Sequence, residues 1–576
     1  MGERTGSMRW LLVLGALSVL VLLSVLSIRY KSYTYDEPRH LRYGQRLLEG
    51  NSDRFTDGTM PVSALNAVPS ALSGVIRNPE TTELLARPIA ARLPTIAFSV
   101  LAGICVFRWA REMYGFRAGL FSLTLFCLSP NLIAHSRLIT TDFYAAGMAL
   151  IALYYFWRLV NRGGWSNALL SAFSLGLCQL TKYVCLFLYP AFLLILILRY
   201  AAHRQAERGR ASGSPPKTRP AGAGGGALRG SAGGVMGARR IAAYAVVFIA
   251  VSVLVINAGF LFNRSMTPLM GYQWRSSGFE QMAERLRVLG RIPIPLPYPF
   301  LEGLDWGNKR MSTGERLCNM YLMGEIREVG GFKGYYCAAF LFKVPLAVQA
   351  FIVLAAASCI SNRRRYRFFE NELFIVVPVI LYMVYFNFFF SMQLGLRHVL
   401  IILPMLHVFC GSLLANAQSR GPRFKAALGA LLVYLAVSVL SYFPHYISYF
   451  NEIVWDRKQA YKYLADSNID WGQNAYYLNE YAARHPEAYI VPEPSPWRPR
   501  ESERREPEFP GSGLIVIGVN RLVGLKDPEE FRWLRETYEP VDHVAYSHLV
   551  FDIPPGGGPA RDDGRALEAG DRRAGN

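Results

Sequence analysis

Asp36 and Glu37 stand side by side in "YDEPRH", with Arg39 and His40 directly after them. A carboxylate can take the proton from a hydroxyl as that oxygen attacks, so the pair offers a general base. Other ionisable residues mark the edges of apolar runs: Asp142 in "LITTDFYAAG", Lys182 in "QLTKYVCLF", Lys343 in "FLFKVPLAVQ", and Arg397 with His398 in "LGLRHVLIILP". Lysine and arginine stabilise a departing phosphate, on which negative charge builds in the transition state. Carboxylates and cations gathered at one level therefore suit group transfer from a lipid-borne phosphate. Each residue also has a structural reading. Asp36 can cap a helix running through Glu37 and Pro38 to Gly50, and Asp142 can cap another. Lys182 and Lys343 can snorkel to headgroups, and Arg397 can anchor anionic lipid. His40, four residues after Asp36, can share its face. Two carboxylates and one histidine are an incomplete metal shell, so neither metal nor other cofactor is expected, with a divalent cation left open.

The elements that must position these residues are apolar runs. The chain has 576 residues, 52% apolar and 13% aromatic. Eleven runs are near the length of a membrane crossing: 9–28, 89–107, 118–135, 141–157, 166–181, 183–199, 241–262, 336–360, 372–391, 397–416 and 426–446. The expected class is a polytopic α-helical membrane protein. Its net charge of +20 sits in short segments between runs, which fits membrane orientation and argues against nucleic acid as a partner. With a cytoplasmic N-terminus the inner segments hold 23 Lys and Arg, whereas the short outer turns hold one each: Arg137, Lys182 and Arg397. The C-terminus then lies outside. No small-residue cleavage site follows the first run, so it reads as an uncleaved span. The eight cysteines form no CxxC pair.

This organisation divides the chain into a transmembrane domain, 1–450, a small outer domain, 451–553, and a disordered end, 554–576. Within the first lie an outer loop at 29–88, a Gly- and Ala-rich disordered connector at 201–240 and a second outer loop at 263–335. In the outer domain "NAYYLNEYAARH" and "PEEFRWLRETY" have helical patterns, and "GLIVIGV" and "HVAYSHLVFDI" read as strands. "EPSPWRPRESERREPEFPGSG" reads as a disordered insertion.

Several stretches carry a family resemblance. They are "YDEPRH", "RPIAARLPTIAFSVLAG", "YGFRAGLFSLTLFCLSPNLIAHSRLITTDFYAAG", "LTKY", "FLFKVPL", "LGLRHVLIILP" and "YLADSNIDWGQNAYYL". Over roughly residues 9 to 485 the chain resembles the C-type integral-membrane glycosyltransferases, in particular bacterial relatives of the dolichyl-phosphate-mannose protein mannosyltransferases. The resemblance implies the C-type fold in a bacterial inner or plasma membrane. It also implies transfer of a sugar, mannose among the candidates, from a polyprenyl-phosphate donor with inversion. The acceptor would be a protein, lipid or glycan hydroxyl on the extracytoplasmic side. Carried over by motif, Asp36 is the catalytic carboxylate, Glu37 its neighbour and Asp142 a second acid. Arg397 and Lys182 are candidate contacts to the donor phosphate, with Lys343, Arg39 and His398 beside them. The 263–335 loop is too short for the β-trefoil insert of eukaryotic members, which puts a protein acceptor in doubt. "SNIDWGQ" reads only as a turn leading into a helix. Two other classes stay open: a transporter of lipid-linked sugars, which calls for midplane charges and internal repeats, and a scaffold, which would leave the acidic pair and Asp142 apart.

Overall fold

The computed structural model describes residues 2–56, 58–76, 78–211, 238–313, 319–361, 367–415, 421–492, 509 and 511–558. Most of the 201–240 connector, of the Pro- and Arg-rich insertion and of the 554–576 end lies outside these residues. Among the described residues six helices are long and apolar enough to cross a membrane: Met8–Ser27, Pro88–Tyr114, Thr141–Arg162, Tyr183–Gln205, Ala242–Gly259 and Pro422–Leu440. Each coincides with an expected run, and together they make an integral membrane protein.

The other five runs are helical but short or broken. Residues 118–135 split into Phe116–Cys127 and Pro130–His135. Pro130 lacks the N–H that would continue the first helix and pushes Ser129 out of the helical region, and Ser129 is extended, with ψ at 110°. Run 336–360 becomes Tyr335–Lys343 and Leu346–Ser361, which meet at 113° around Pro345. The helices Trp165–Gln179 and Leu373–Phe388 have 15 and 16 residues, and run 397–416 contains the short apolar helix Ile402–Leu414. Irregular backbone at such depth is tolerated where protein, rather than lipid, surrounds it. Residues 396 to 413, for example, are buried apart from Arg397 and His398, which are half-buried.

Short turns bring several helix ends to one place. Gly163 and Gly164, both at positive φ, reverse the chain between Thr141–Arg162 and Trp165–Gln179. Asp142, at the start of the first helix, therefore lies at the same end as Lys182, just beyond the second. The end of Met8–Ser27 and the start of Pro88–Tyr114 complete this end, joined by the 29–88 loop with its helix Glu37–Leu48.

The C-terminal part carries a four-stranded sheet ordered Tyr489–Ile490, Gly513–Gly518, His548–Ile553 and Asp542–Val544. The first pair is parallel and the other two are antiparallel. Helix Ala475–Arg484 packs Tyr477, Leu478 and Tyr481 against Val516, Val544 and Val550. "HVAYSHLVFDI", expected as one strand, is a hairpin: Ala545 and Tyr546 both take positive φ, the backbone of a tight hairpin turn. In the 263–335 loop lie the helices Ser277–Arg285 and Tyr298–Thr313 and a small hairpin, Met320–Leu322 with Glu325–Arg327.

Candidate active site

Asp36 occupies the N-cap position of Glu37–Leu48, yet its side chain makes no capping hydrogen bond. Its carboxylate accepts from Arg39 Nη2 at 2.6 Å through one oxygen and from Arg397 Nη1 at 2.7 Å through the other. Asp142 lies in the first turn of Thr141–Arg162, where Thr140 is the N-cap. Its carboxylate accepts from Lys182 Nζ at 2.5 Å and stands 3.9 Å from Arg397 Nη1. Neither acid is spent on a cap, although the positive end of each helix favours an anion there.

The result is an alternating row of charges, Arg39–Asp36–Arg397–Asp142–Lys182, with three cations for two carboxylates. The row is graded in depth: Asp142 is 3% exposed, Arg397 11%, Asp36 19%, Lys182 26% and Arg39 29%. Asp36 and Asp142 are thus joined through one guanidinium. Burial alone would raise the Asp36 carboxyl, but Arg397 and Arg39 outweigh it and hold the group below its ordinary 3.8. His40 is buried with Nδ1 3.3 Å from Ser63 Oγ, and burial pushes its imidazole down to about 4. Among the described residues no three His, Cys, Asp or Glu side chains form a group that could hold a metal ion.

Glu37 turns away from this row. Its Oε1 accepts from Arg92 Nε at 2.7 Å and Ile139 N at 3.1 Å; its Oε2 accepts from Arg92 Nη2 and Thr34 N, both at 2.7 Å. Arg92 also donates to the carbonyls of Lys31 and Ser32. The pair is 0% and 1% exposed and ties the 29–88 loop to helix Pro88–Tyr114 and to residue 139. With both oxygens doubly engaged, Glu37 is a clamp rather than a second reacting acid. Breaking such a pair leaves a buried, uncompensated charge. Glu37→Gln should therefore cost about 3–5 kcal/mol of stability, read as a large fall in melting temperature in detergent. An unchanged melting temperature would return Glu37 to the reacting groups.

Lys343, expected beside the donor phosphate, is 2% exposed and faces elsewhere. Its ammonium donates to the carbonyls of Ile447 at 2.8 Å and Asn468 at 2.5 Å and lies 4.6 Å from the Phe450 ring centroid. It ties the helix Tyr335–Lys343 to the segments that follow Pro422–Leu440 and takes no place in the charge row. His398 packs among Tyr336, Phe386 and Phe390, with ring centroids 5.2–6.3 Å away, and its Nε2 has no partner among the described residues.

Two residues near the row were not singled out by type and spacing. His135 ends the short helix Pro130–His135; it is buried, and its Nδ1 has no partner among the described residues. Trp471, from "SNIDWGQ", lies under Arg397, with Cζ 4.1 Å from the ring centroid. The ring of His135 stands 5.9 Å from that of Trp471. The histidine closes an otherwise apolar run, and the tryptophan sits in a polar turn more than seventy residues beyond Arg397, so neither announces its neighbour.

Residues 84–209 match the family model described as dolichyl-phosphate-mannose-protein mannosyltransferase. That stretch includes Arg92, His135, Asp142 and Lys182, while Asp36, Arg397 and Trp471 lie outside it. No curated protein matches the chain. Among solved structures, ArnT from Cupriavidus metallidurans bound to undecaprenyl phosphate is similar at 14% identity over 95% of this chain and 99% of that one, with a TM-score of 0.44. The Archaeoglobus fulgidus oligosaccharyltransferase AglB, in complex with an inhibitory peptide and a dolichol-phosphate, is similar at 15% identity and a TM-score of 0.46, covering 88% of this chain and 62% of that one. The apo Archaeoglobus fulgidus oligosaccharyltransferase is similar at 15% identity and a TM-score of 0.42, covering 74% of this chain and 54% of that one. The chain thus spans little more than half the length of these archaeal proteins.

Proposed function

We propose that the chain is an inverting glycosyltransferase. It moves one sugar from a polyprenyl-phosphate donor to a protein, lipid or glycan hydroxyl on the extracytoplasmic face of the membrane. The observation that carries this reading is the row Arg39–Asp36–Arg397–Asp142–Lys182, whose excess positive charge suits a phosphate and whose acids suit an attacking hydroxyl. The family match over residues 84–209 supports the donor class and makes mannose a candidate sugar. The charge asymmetry of the loops supports the outer side.

In the proposed reaction the acceptor oxygen attacks the anomeric carbon while its proton passes to Asp36. The bond between that carbon and the phosphate oxygen breaks, and both its electrons leave with the polyprenyl phosphate. A single displacement of this kind inverts the anomeric centre. Arg397 and Lys182 stabilise the charge that collects on the phosphate. Asp142 holds both cations between the chain's own charges until donor binds.

Arg397 serves two partners in turn. Before donor binds, it lowers the Asp36 carboxyl and makes it a weak base. A phosphate that draws the guanidinium toward itself relieves that hold, so the base strengthens when the substrate is in place. A depressed carboxyl stays ionised until the pH falls through its lowered value. In the free protein Asp36 is therefore ionised down to below 3.8, and its pairing is lost only under stronger acid. The acid limb of kcat/KM, which reports the free protein, should lie below 3.8, and that of kcat should lie higher. Coincident limbs would remove the exchange of partners.

The reading is tested by mass spectrometry of envelope proteins, lipids and glycans from cells with and without the gene. One modification of the size of a single sugar, hexose or pentose, should disappear from an acceptor class in the deletion strain and return with the wild-type gene. Identical glycan profiles would count against it.

A further inference from the structure

The "SNIDWGQ" turn, left without a role by the sequence, belongs to the site. Its backbone and side chains stitch it to both segments that supply the central ion pair. Trp471 O accepts from Tyr35 N at 3.0 Å, one residue before Asp36. Asn468 Oδ1 accepts from Leu396 N at 3.0 Å, one residue before Arg397, and Ser467 Oγ donates to Leu394 O. Gly395 takes a φ of 120°, and a Cβ there would meet Ser467 Oγ at 2.7 Å. Lys343 holds the same turn from behind through Asn468 O. The turn is itself braced by Gln473, whose Oε1 accepts from Trp471 N at 2.6 Å and whose Nε2 donates to Ile469 O at 2.9 Å.

On this base the Trp471 side chain, 4% exposed, presents its ring to the Arg397 guanidinium. Arg397 is thereby fixed from one side by an aromatic face and at one edge by Asp36. Its Nε has no partner among the described residues. A guanidinium placed over a ring keeps its donors available, because the attraction of the ring acts on the cation without using an N–H.

We propose that Trp471 is a positioning residue for sugar transfer, the aromatic floor that orients Arg397 so that its remaining donors meet the departing phosphate of the polyprenyl-phosphate donor. This rests on the glycosyltransferase reading and deepens it, since it makes the C-terminal part of the chain a component of the reacting site. A desolvated cation–π contact contributes enough to change a rate on the order of tenfold to thirtyfold if it is expressed only in the transition state.

The test compares Trp471→Phe and Trp471→Leu, each alone and with Arg397→Ala, in purified full-length protein. Initial rates and donor KM are read with a polyprenyl-phosphate sugar, and melting temperatures are read in detergent. Trp471→Leu should lose about tenfold or more in kcat with donor KM within about threefold. Trp471→Phe, which keeps an aromatic face, should recover most of that loss. In the Arg397→Ala background Trp471→Leu should cost nothing further in rate, and the melting temperatures should be non-additive in the same sense. Leu and Phe variants slowed equally, or a Trp471→Leu loss of equal size without Arg397, would overturn the proposal and leave Trp471 as packing. So would an unimpaired Trp471→Leu enzyme. A wild-type protein that consumes no polyprenyl-phosphate donor at all would instead overturn the glycosyltransferase reading. The melting cycle would then still decide whether Trp471 and Arg397 act as a pair.

Discussion

Asp36→Asn should reduce sugar transfer by about a thousandfold or more, within the range that loss of a general base produces. The amide keeps the size of the side chain and can still accept from one arginine, but it takes no proton at neutral pH. It also carries no charge, so Arg39 and Arg397 lose the anion that each meets at 2.6 and 2.7 Å. Membrane insertion should be unaffected, because the apolar helices and the Glu37–Arg92 clamp do not depend on Asp36. The check is initial-rate measurement of donor consumption, with membrane fractionation to confirm insertion. Near-wild-type turnover by Asp36→Asn would remove the base role and leave the carboxylate as a tether for Arg397.

Arg397→Lys should lower turnover on the order of a hundredfold while donor binding stays within about tenfold, the scale of losing one well-placed stabilising donor. The conservative change keeps the charge but loses the geometry. Arg397 meets Asp36 through Nη1 at 2.7 Å, lies 3.9 Å from Asp142 and has its Cζ 4.1 Å from the Trp471 ring centroid. An ammonium is a compact point charge that cannot present a planar fork to carboxylate and phosphate together. A contact that strengthens as charge leaves with the phosphate appears in kcat before it appears in affinity. Rates and KM from the same donor titration separate the two. An Arg397→Lys enzyme with unchanged turnover would make the residue a lipid anchor, the reading its place at the end of an apolar run also permits.

The long helices were legible because apolar length is itself the physical requirement for crossing lipid. Their breaks were less so. Pro130 and Pro345 are visible in the sequence, but whether a proline kinks a helix or divides it depends on which groups accept the freed backbone. Asn131 Nδ2, for example, donates to Lys343 O, 212 residues away. In the site, Asp36, Asp142, Lys182 and Arg397 stood out because a charge at the edge of an apolar run is costly unless it has a partner. The same rule could not separate Lys343 from them, since a lysine at such depth looks alike whether it meets a phosphate or two carbonyls. Glu37 was paired with Asp36 by adjacency. Consecutive residues entering a helix point about 100° apart, however, and here one faces the charge row while the other faces Arg92. Trp471 was hidden by distance along the chain, and its contact with Arg397 leaves no mark in composition.

The central claim is that the donor is cleaved at this site, with Asp36 required. The direct measurement incubates the purified protein in detergent with a labelled polyprenyl-phosphate sugar and an envelope extract, and follows free polyprenyl phosphate together with sugar on acceptor. Free carrier should appear in step with glycosylated acceptor, the new linkage should have the inverted anomeric configuration, and both products should form about a thousandfold more slowly, or slower still, with Asp36→Asn. Donor that remains intact in this assay, yet crosses the bilayer when the protein is placed in sealed vesicles, would contradict the account and make the protein a carrier of lipid-linked sugars.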